Sequence, residues 1–385
     1  MSADPVGSLP LAQPEIGERE EQLVLEALRS GRLSLGPMLE RFETAFAEWL
    51  GAAEAVAVAS GTAALHLGVR SLGWSRGDAV ITSPLSFVAS VNCLLYEGVR
   101  PVFCDVDPVT FNLDPDAAAA AIDGETAGLL PVDIFGYPAA IGRFGELADR
   151  HDIGLLEDAC EALGARDAEG RLLGAGRHPA TFAFYANKQL TTGEGGMITF
   201  SDPDLAARAR SERNQGRAAD MGWLDHERLG YNYRLPELAC ALGIAQLERL
   251  DRLLADRERV AGLYAERLAG LEEVQLLPSS RGAERRSWFV YVIALVDSDS
   301  DGTAERRDAV IAALAKTGVP AKAYMPCLHR LDHLREYGFR AGQFPVAEAI
   351  SARTLALPFF PQMTEAQVDR VGAALETALG PAEAR

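Results

Sequence analysis

Seven short apolar runs, most of them separated by stretches of helical periodicity, constrain this chain more than any other feature. Runs at 54–59, 79–84, 101–107, 126–135 and 153–159 come first. Helical patterns follow the first four: 60–72 with Ser60 as a cap, 86–98, 113–122 with Asp114 as N-cap, and 141–152. Further strands are expected at 181–186 and 195–200, then a helix over 202–216. Apolar strands alternating with helices imply an α/β chain with a mostly parallel sheet covered on both faces. Beyond Pro236 the pattern changes to one long helical region, about 236–271, broken once. An aromatic strand (288–295), a helix (305–316), a strand near 319–325 and a closing helix (364–379) follow. At 385 residues the chain suits two domains: a large α/β domain over 1–250 and a small C-terminal α+β domain over 251–385. The acidic stretch 296–305, the first ten residues and the last five read as loop or frayed ends.

Charge and composition exclude several functions. A net charge of −18 repels polyanions, so no nucleic-acid partner is expected. No apolar run reaches the roughly 20 residues of a membrane helix, and the acidic start has no signal-like core, which reads as a soluble cytoplasmic protein. The five cysteines are widely spaced and suggest neither a disulfide framework nor a zinc site. His329 and His333 lack a third ligand of suitable spacing, so no metal is expected. The basic residues are more telling, because 34 are arginine and only Lys188, Lys316 and Lys322 are lysine. Where arginine has replaced lysine so thoroughly, a retained lysine is enriched for chemistry that needs a deprotonable amine. Lys188 is the single lysine among residues 1–315.

In open α/β sheets, ligands bind outside the carboxyl ends of the strands. Ser60-Gly61-Thr62 follows the first run and opens a helix, offering N–H groups and a hydroxyl to a phosphate, or simply an ordinary cap. Ser86-Phe87 follows the second. Glu157 and Asp158 end the run 153–159, where a buried carboxylate needs a partner; strand alternation lets only one of them face a ligand. Lys188 follows the run 181–186, and the glycines of Gly193-Glu-Gly-Gly196 allow close backbone approach. A solitary lysine, a carboxylate such as Asp158 for a ring nitrogen, an aromatic residue and a phosphate cradle are the parts needed to bind pyridoxal phosphate.

The segments SGTAALHL, SPLSFVASVN, EDACEALGA, FAFYANKQLTTGEGGM, RNQGR and LGYNYR, in that order, resemble the DegT/DnrJ/StrS family of sugar aminotransferases over about residues 12–375. The resemblance implies the aspartate-aminotransferase-like fold (type I pyridoxal-phosphate transferase). It also implies a homodimer with shared active sites and transfer of an amino group from glutamate, or less often glutamine, to a keto sugar, usually nucleotide-linked. Such reactions serve amino-sugar biosynthesis for polysaccharides or natural products. By position, Lys188 matches the lysine that joins the cofactor and shuttles a proton, Asp158 the partner of the pyridine nitrogen, and Phe87 the aromatic stacked on the ring. Gly61 and Thr62 match phosphate contacts, and Asn232 matches the asparagine that reaches the neighbouring subunit's cofactor phosphate. The turn Ser34–Pro37 resembles the family's N-terminal substrate loop, and Tyr324 to His329 would border the substrate cleft. Arg234 is a candidate for an anionic substrate group or for a structural salt bridge.

Two positions depart from the commonest pattern. Glu161 stands where many members have Gln; near the cofactor's phenolic oxygen, a carboxylate would be expected to be protonated or paired with an arginine. Ala183 stands where many relatives place a serine on the phosphate, with Tyr185 and Asn187 as nearby substitutes. Cys160 and Cys93 read as buried small apolar residues. Competing readings are a keto-cyclitol aminotransferase, a lyase or dehydratase on the same cofactor, and a non-catalytic ligand-sensing relative.

Overall fold

The computed structural model describes residues 9–218, 225–296 and 303–380. Most of the acidic stretch expected as a loop (297–302), the first eight residues and the last five lie outside them. The first part of the chain alternates helices and strands: α1 (Glu18–Arg29), α2 (Pro37–Leu50), β1 (Glu54–Val58), α3 (Gly61–Ser71), β2 (Ala79–Thr82), α4 (Ala89–Tyr96), β3 (Arg100–Phe103), α5 (Pro115–Ala121), β4 (Thr126–Leu130) and α6 (Ile141–His151). Then come β5 (Gly154–Leu155), β6 (Glu157–Asp158), β7 (Ala180–Ala183), β8 (Gly196–Phe200) and α7 (Pro203–Arg213).

These strands lie in the order β3-β2-β4-β5 and β6-β7-β8-β1, the two sets meeting where β5 runs into β6. The ladder continues across that joint, with Leu156 N–H donating to Leu129 O and Asp158 N–H to Pro131 O, both at 3.0 Å. The expected sheet is therefore present with one exception in direction: β8 is antiparallel to both β1 and β7. Alternation along the strands covers both faces. Ala55 and Ala57 of β1 and Met197 of β8 pack with Phe42 and Phe46 of α2, whereas Val56, Val58 and Ile198 pack with Ala63, Ala64 and Leu67 of α3. On β7, Phe182 joins the α2 side, its ring centroid 5.3 Å from that of Phe46. Each such ring contributes roughly 1.5–3 kcal/mol by burial, and together they fix the register that turns Ala183 to the opposite face.

The long helical region divides into α8 (Glu237–Leu247) and α9 (Leu250–Leu268). At the break Arg249 leaves helical geometry (φ −128°), and its guanidinium bonds Glu15 and Glu20. Beyond α9 lie β9 (Val274–Leu276), a hairpin of β10 (Ser280–Arg281) and β11 (Glu284–Arg285), β12 (Tyr291–Leu295), α10 (Thr303–Lys316), β13 (Lys322–Ala323), α11 (Pro345–Arg353), β14 (Thr354–Leu357) and α12 (Glu365–Leu379). A wholly antiparallel sheet, β13-β14-β12-β9, carries the small C-terminal domain. Val260 and Tyr264 of α9 pack into its core with Ile293, Leu355 and Leu375. Among the described residues no helix is long and apolar enough to cross a membrane.

Candidate active site

A cavity of about 440 Å³ opens at the carboxyl ends of the large sheet's parallel strands. Its floor and walls come from the start of α3, the loop before α4, the residues after β6 and β7, and Tyr324-Met325 of the small domain.

Ser60 is extended, at φ −165°, and its Oγ accepts the Ala63 N–H at 3.1 Å, so it caps α3 as the sequence suggests. Gly61 and Thr62 line the cavity beside it, where the first turn's N–H groups and the positive end of the helix suit an anion. Gly61 is required by close packing: a Cβ there would lie 2.7 Å from Ala183 Cβ and 3.3 Å from Cys160 Sγ. Ala183 offers no hydroxyl, but Asn187 lines the same wall and its Oδ1 is buried without a partner.

The structure resolves which acidic residue of β6 faces the site. Asp158 lines the cavity and is 3% exposed. Its Oδ2 accepts from Ser90 Oγ at 2.6 Å, its Oδ1 from the Cys160 N–H at 3.2 Å, and Ser86 Oγ lies 2.7 Å behind Ser90. Glu157 points the other way and accepts the Gly174 N–H at 3.2 Å. Phe87 also lines the cavity and is 58% exposed, as a ring available for stacking must be.

Lys188 N–H donates to Tyr185 O at 3.0 Å, a tight turn that aims the side chain back into the cavity. Nζ lies 4.1 Å from the centroid of Phe289 and 3.8 Å from Glu161 Oε1. Glu161 is 5% exposed, and its Oε2 accepts the Phe135 N–H at 2.8 Å. Burial pushes its carboxyl above the ordinary range, while the Lys188 ammonium opposes that rise. Of the two expectations for Glu161, protonation or an arginine partner, the charged neighbour found is Lys188 rather than an arginine, and the upward push of burial runs in the direction of protonation.

Other expectations need correction. His329 does not reach the cavity: it is 1% exposed, its Nε2 is 3.1 Å from Glu348 Oε1, and its ring packs edge-on against Phe344. Its 3₁₀ turn faces α11 instead, while Tyr324, five residues earlier, does line the site. Cys160 is not a buried core residue but part of the cavity wall. Outside these corrections, Ser34 and Asn232 are exposed and Arg234 donates to Asn214 Oδ1 at 3.1 Å; none of the three lines the cavity of its own chain. Ser90 and Phe289 were not singled out from sequence. Ser90 could have been, since it stands one helical turn after Ser86 on the same face; Phe289 sits in the apolar run that leads into β12, like its neighbours. Among the described residues no cluster could hold a metal.

The residues present fit pyridoxal phosphate: a helix N-terminus for the phosphate, Asp158 fixed by two donors for a ring nitrogen, and an amine at Nζ. Residues 14–376 match the DegT/DnrJ/EryC1/StrS aminotransferase family. The chain is 38% identical over 372 residues to GDP-perosamine synthase of Caulobacter vibrioides, covering 96% of this chain and 98% of that one. It is 35% identical to the spore coat polysaccharide biosynthesis protein SpsC of Bacillus subtilis, covering 94% and 95%. The solved structure of S. venezuelae DesV, in complex with a ketimine intermediate, superposes with a TM-score of 0.88 at 33% identity, covering 94% of this chain and 95% of that one. The chain therefore belongs to the DegT/DnrJ/EryC1/StrS family and is a pyridoxal-phosphate-dependent aminotransferase.

Proposed function

We propose that this aminotransferase moves the amino group of glutamate to a nucleotide-diphosphate-linked 3- or 4-keto (deoxy)sugar, in the cytoplasm, as a step in amino-sugar biosynthesis. The observation that carries this reading is the convergence of Lys188 Nζ, Asp158 and the α3 N-terminus on one cavity, in a chain alignable almost end to end with GDP-perosamine synthase.

Bound there, pyridoxal phosphate supplies an electron-accepting ring conjugated to the carbon that exchanges its amine. The chain's own groups do the rest. Asp158, oriented by Ser90 and the Cys160 N–H, would hold a proton at the ring nitrogen. Phe87 would cover one ring face, and the N–H groups of Gly61 and Thr62 would anchor the phosphate. Lys188 Nζ would take a proton from the carbon bearing the amine and return it to the carbon on the other side of that nitrogen. Tyr324 borders the space left for the keto substrate. Asn232, Arg234 and Ser34, all off the cavity of their own chain, are proposed to complete the site of a second copy in a homodimer.

The test is the absorption spectrum of purified protein with pyridoxal phosphate, before and after glutamate, for wild type and Lys188→Ala. A visible band bleached by glutamate in wild type alone supports the reading. A protein that stays colourless overturns it. Mass analysis of the product from keto-sugar nucleotides then separates amine transfer from elimination.

A further inference from the structure

His66 stands one helical turn after Thr62 on α3, the helix whose N-terminus faces the cavity, and is 3% exposed. Both of its ring nitrogens are engaged: Nε2 lies 2.7 Å from Glu97 Oε1, and Nδ1 lies 3.0 Å from the Tyr233 hydroxyl. Tyr231 donates to the same Glu97 oxygen at 3.1 Å, and Arg70 Nη1 donates to the other at 2.9 Å. Burial works against the charge on Glu97, but the bonds from His66 and Arg70 outweigh it and hold that carboxyl below its ordinary range. Burial also pushes His66 below its ordinary value, against the pull of Glu97. A carboxylate can only accept, and a neutral imidazole has one N–H, so these partners fix the tautomer: Nε2–H donates to Glu97, and Nδ1 accepts the Tyr233 hydroxyl.

The two tyrosines flank Asn232. Their rings stack at 5.0 Å and 12°, and each meets the His66 ring at a steep angle, Tyr231 at 4.8 Å and Tyr233 at 5.9 Å. The backbone is tied as well. The N–H groups of Tyr231 and Tyr233 donate to Glu212 O (2.6 Å) and Arg213 O (3.0 Å), and Ala59 N–H donates to Tyr233 O at 2.8 Å. Asn232 itself bridges to Asn214 in strand fashion. Side chains alternate along such a segment, so holding Tyr231 and Tyr233 on one side turns Asn232 to the other. There Asn232 is exposed and takes no part in the cavity of its own chain.

We propose that His66 is a positioning residue that acts on the other copy: through Tyr231 and Tyr233 it fixes the direction of Asn232, and so sets how tightly the second subunit of a homodimer holds its cofactor phosphate. The proposal rests on the reading above that Asn232 completes the site of a second copy. A segment free to move would have to be ordered each time the phosphate binds, which weakens binding; a buried, paired network orders it beforehand. Because His66 also belongs to α3, the competing route is an effect on the phosphate site of its own chain. The two routes differ in which copy carries the defect.

Affinity is measured by titrating cofactor-free full-length protein with pyridoxal phosphate and following the visible band that only a site bearing Lys188 can form. His66→Phe keeps a ring in place and removes both hydrogen bonds. It is expected to weaken binding about tenfold, the size of one lost hydrogen bond to a charged group. Differently tagged His66→Phe and Lys188→Ala chains are then co-expressed, and the mixed dimer is isolated on both tags. Its one reporting site combines Lys188 of the His66→Phe chain with the intact Tyr231–Tyr233 segment of the Lys188→Ala chain. The expected result is recovery of the wild-type affinity in the mixed dimer. A mixed dimer as weak as the His66→Phe homodimer places the effect within one chain and overturns the proposal. So does a His66→Phe homodimer that binds as tightly as wild type. Tyr233→Phe, which removes one hydroxyl and keeps the stack, is expected to follow the same pattern at smaller amplitude and guards against misfolding of the first variant. Sedimentation of wild type tests the underlying reading separately: a monomer removes the second copy itself, whereas a dimer whose defect stays within one chain removes only the role of His66.

Discussion

Arg257 Nη2 donates to the carbonyl oxygen of Lys188 at 2.8 Å, and Nη1 of the same guanidinium reaches Phe289 O at 3.2 Å. One side chain of α9 therefore ties the lysine's backbone to the segment leading into β12, whose Phe289 ring lies against its amine. Arg257 is 3% exposed, and burial alone pushes its guanidinium down to about 10, with no acid opposing. Replacing it by Met leaves carbonyls of Asn187, Lys188 and Phe289 without this donor, at roughly 1–3 kcal/mol each where no water enters. Arg257→Met is expected to lower kcat at least tenfold and to slow capture of the cofactor in stopped-flow absorbance, with Arg257→Lys recovering part of both. Loss of thermal stability with an unchanged kcat per folded molecule would leave Arg257 as scaffold only.

Glu237, the second residue of the Pro236–Glu237 entry to α8, caps a different helix. Its carboxylate accepts the N–H groups of Gly36 (3.0 Å), Met38 (2.8 Å) and Leu39 (3.1 Å) at the start of α2, whose own N-cap Gly36 has no side chain to offer. Glu237→Ala is expected to destabilise the protein by about 2–4 kcal/mol, read as a lower urea midpoint, because three donors in a buried place lose their acceptor. Glu237→Gln keeps an acceptor and is expected to lose less. The same cap braces the Ser34–Pro37 turn, so a surviving Glu237→Ala enzyme should show a raised KM for the keto substrate.

The strands of the large sheet could be read from apolar runs because each buried strand needs such a run, and Lys188 stood out because the rest of the chain avoids lysine. The reversed direction of β8 could not be read, since its residues pack on both faces just as those of a parallel strand would. His329 was misplaced because its partner Glu348 lies nineteen residues away on a helix that only folding brings near. Arg257 was lost among 34 arginines, yet it carried a signal: it shares the stripe of Leu253, Val260, Ala261 and Tyr264 on α9, a position where a solvated charge does not belong.

Glu157 sets a pH dependence of stability. Its Oε1 and the Oδ2 of Asp133 are both buried without a partner, and burial pushes the Glu157 carboxyl up to about 7 and Asp133 well above its ordinary range. A pKa raised by folding above the unfolded value of about 4.5 means that the folded state holds the extra proton. That contribution is complete below pH 4.5 and is lost as the pH rises through 7, at no more than about 1.4 kcal/mol per pH unit. Glu157→Gln keeps an acceptor for the Gly174 N–H and gains a donor for Asp133. It should flatten the fall in Tm between pH 5.5 and 8.5; an unchanged slope would place the titration elsewhere.

Ala183 offers a gain rather than a loss. Alternation along β7 sends Phe182 to the α2 side and Ala183 to the cavity, where its Cβ packs against the backbone of Gly61 at the start of α3. A serine hydroxyl there would join the N–H groups of the helix N-terminus, and a hydrogen bond to a charged phosphate is worth roughly 1.5–3 kcal/mol before the loss of a bound water is subtracted. Ala183→Ser should therefore tighten pyridoxal phosphate binding about three- to tenfold, measured as Kd by absorbance titration, and raise the sensitivity of that binding to competing inorganic phosphate. Ala183→Val, bulkier than Ser and without a donor, should weaken binding. If both variants weaken it alike, the wall at Ala183 is set by volume, and the phosphate is held without help from that strand.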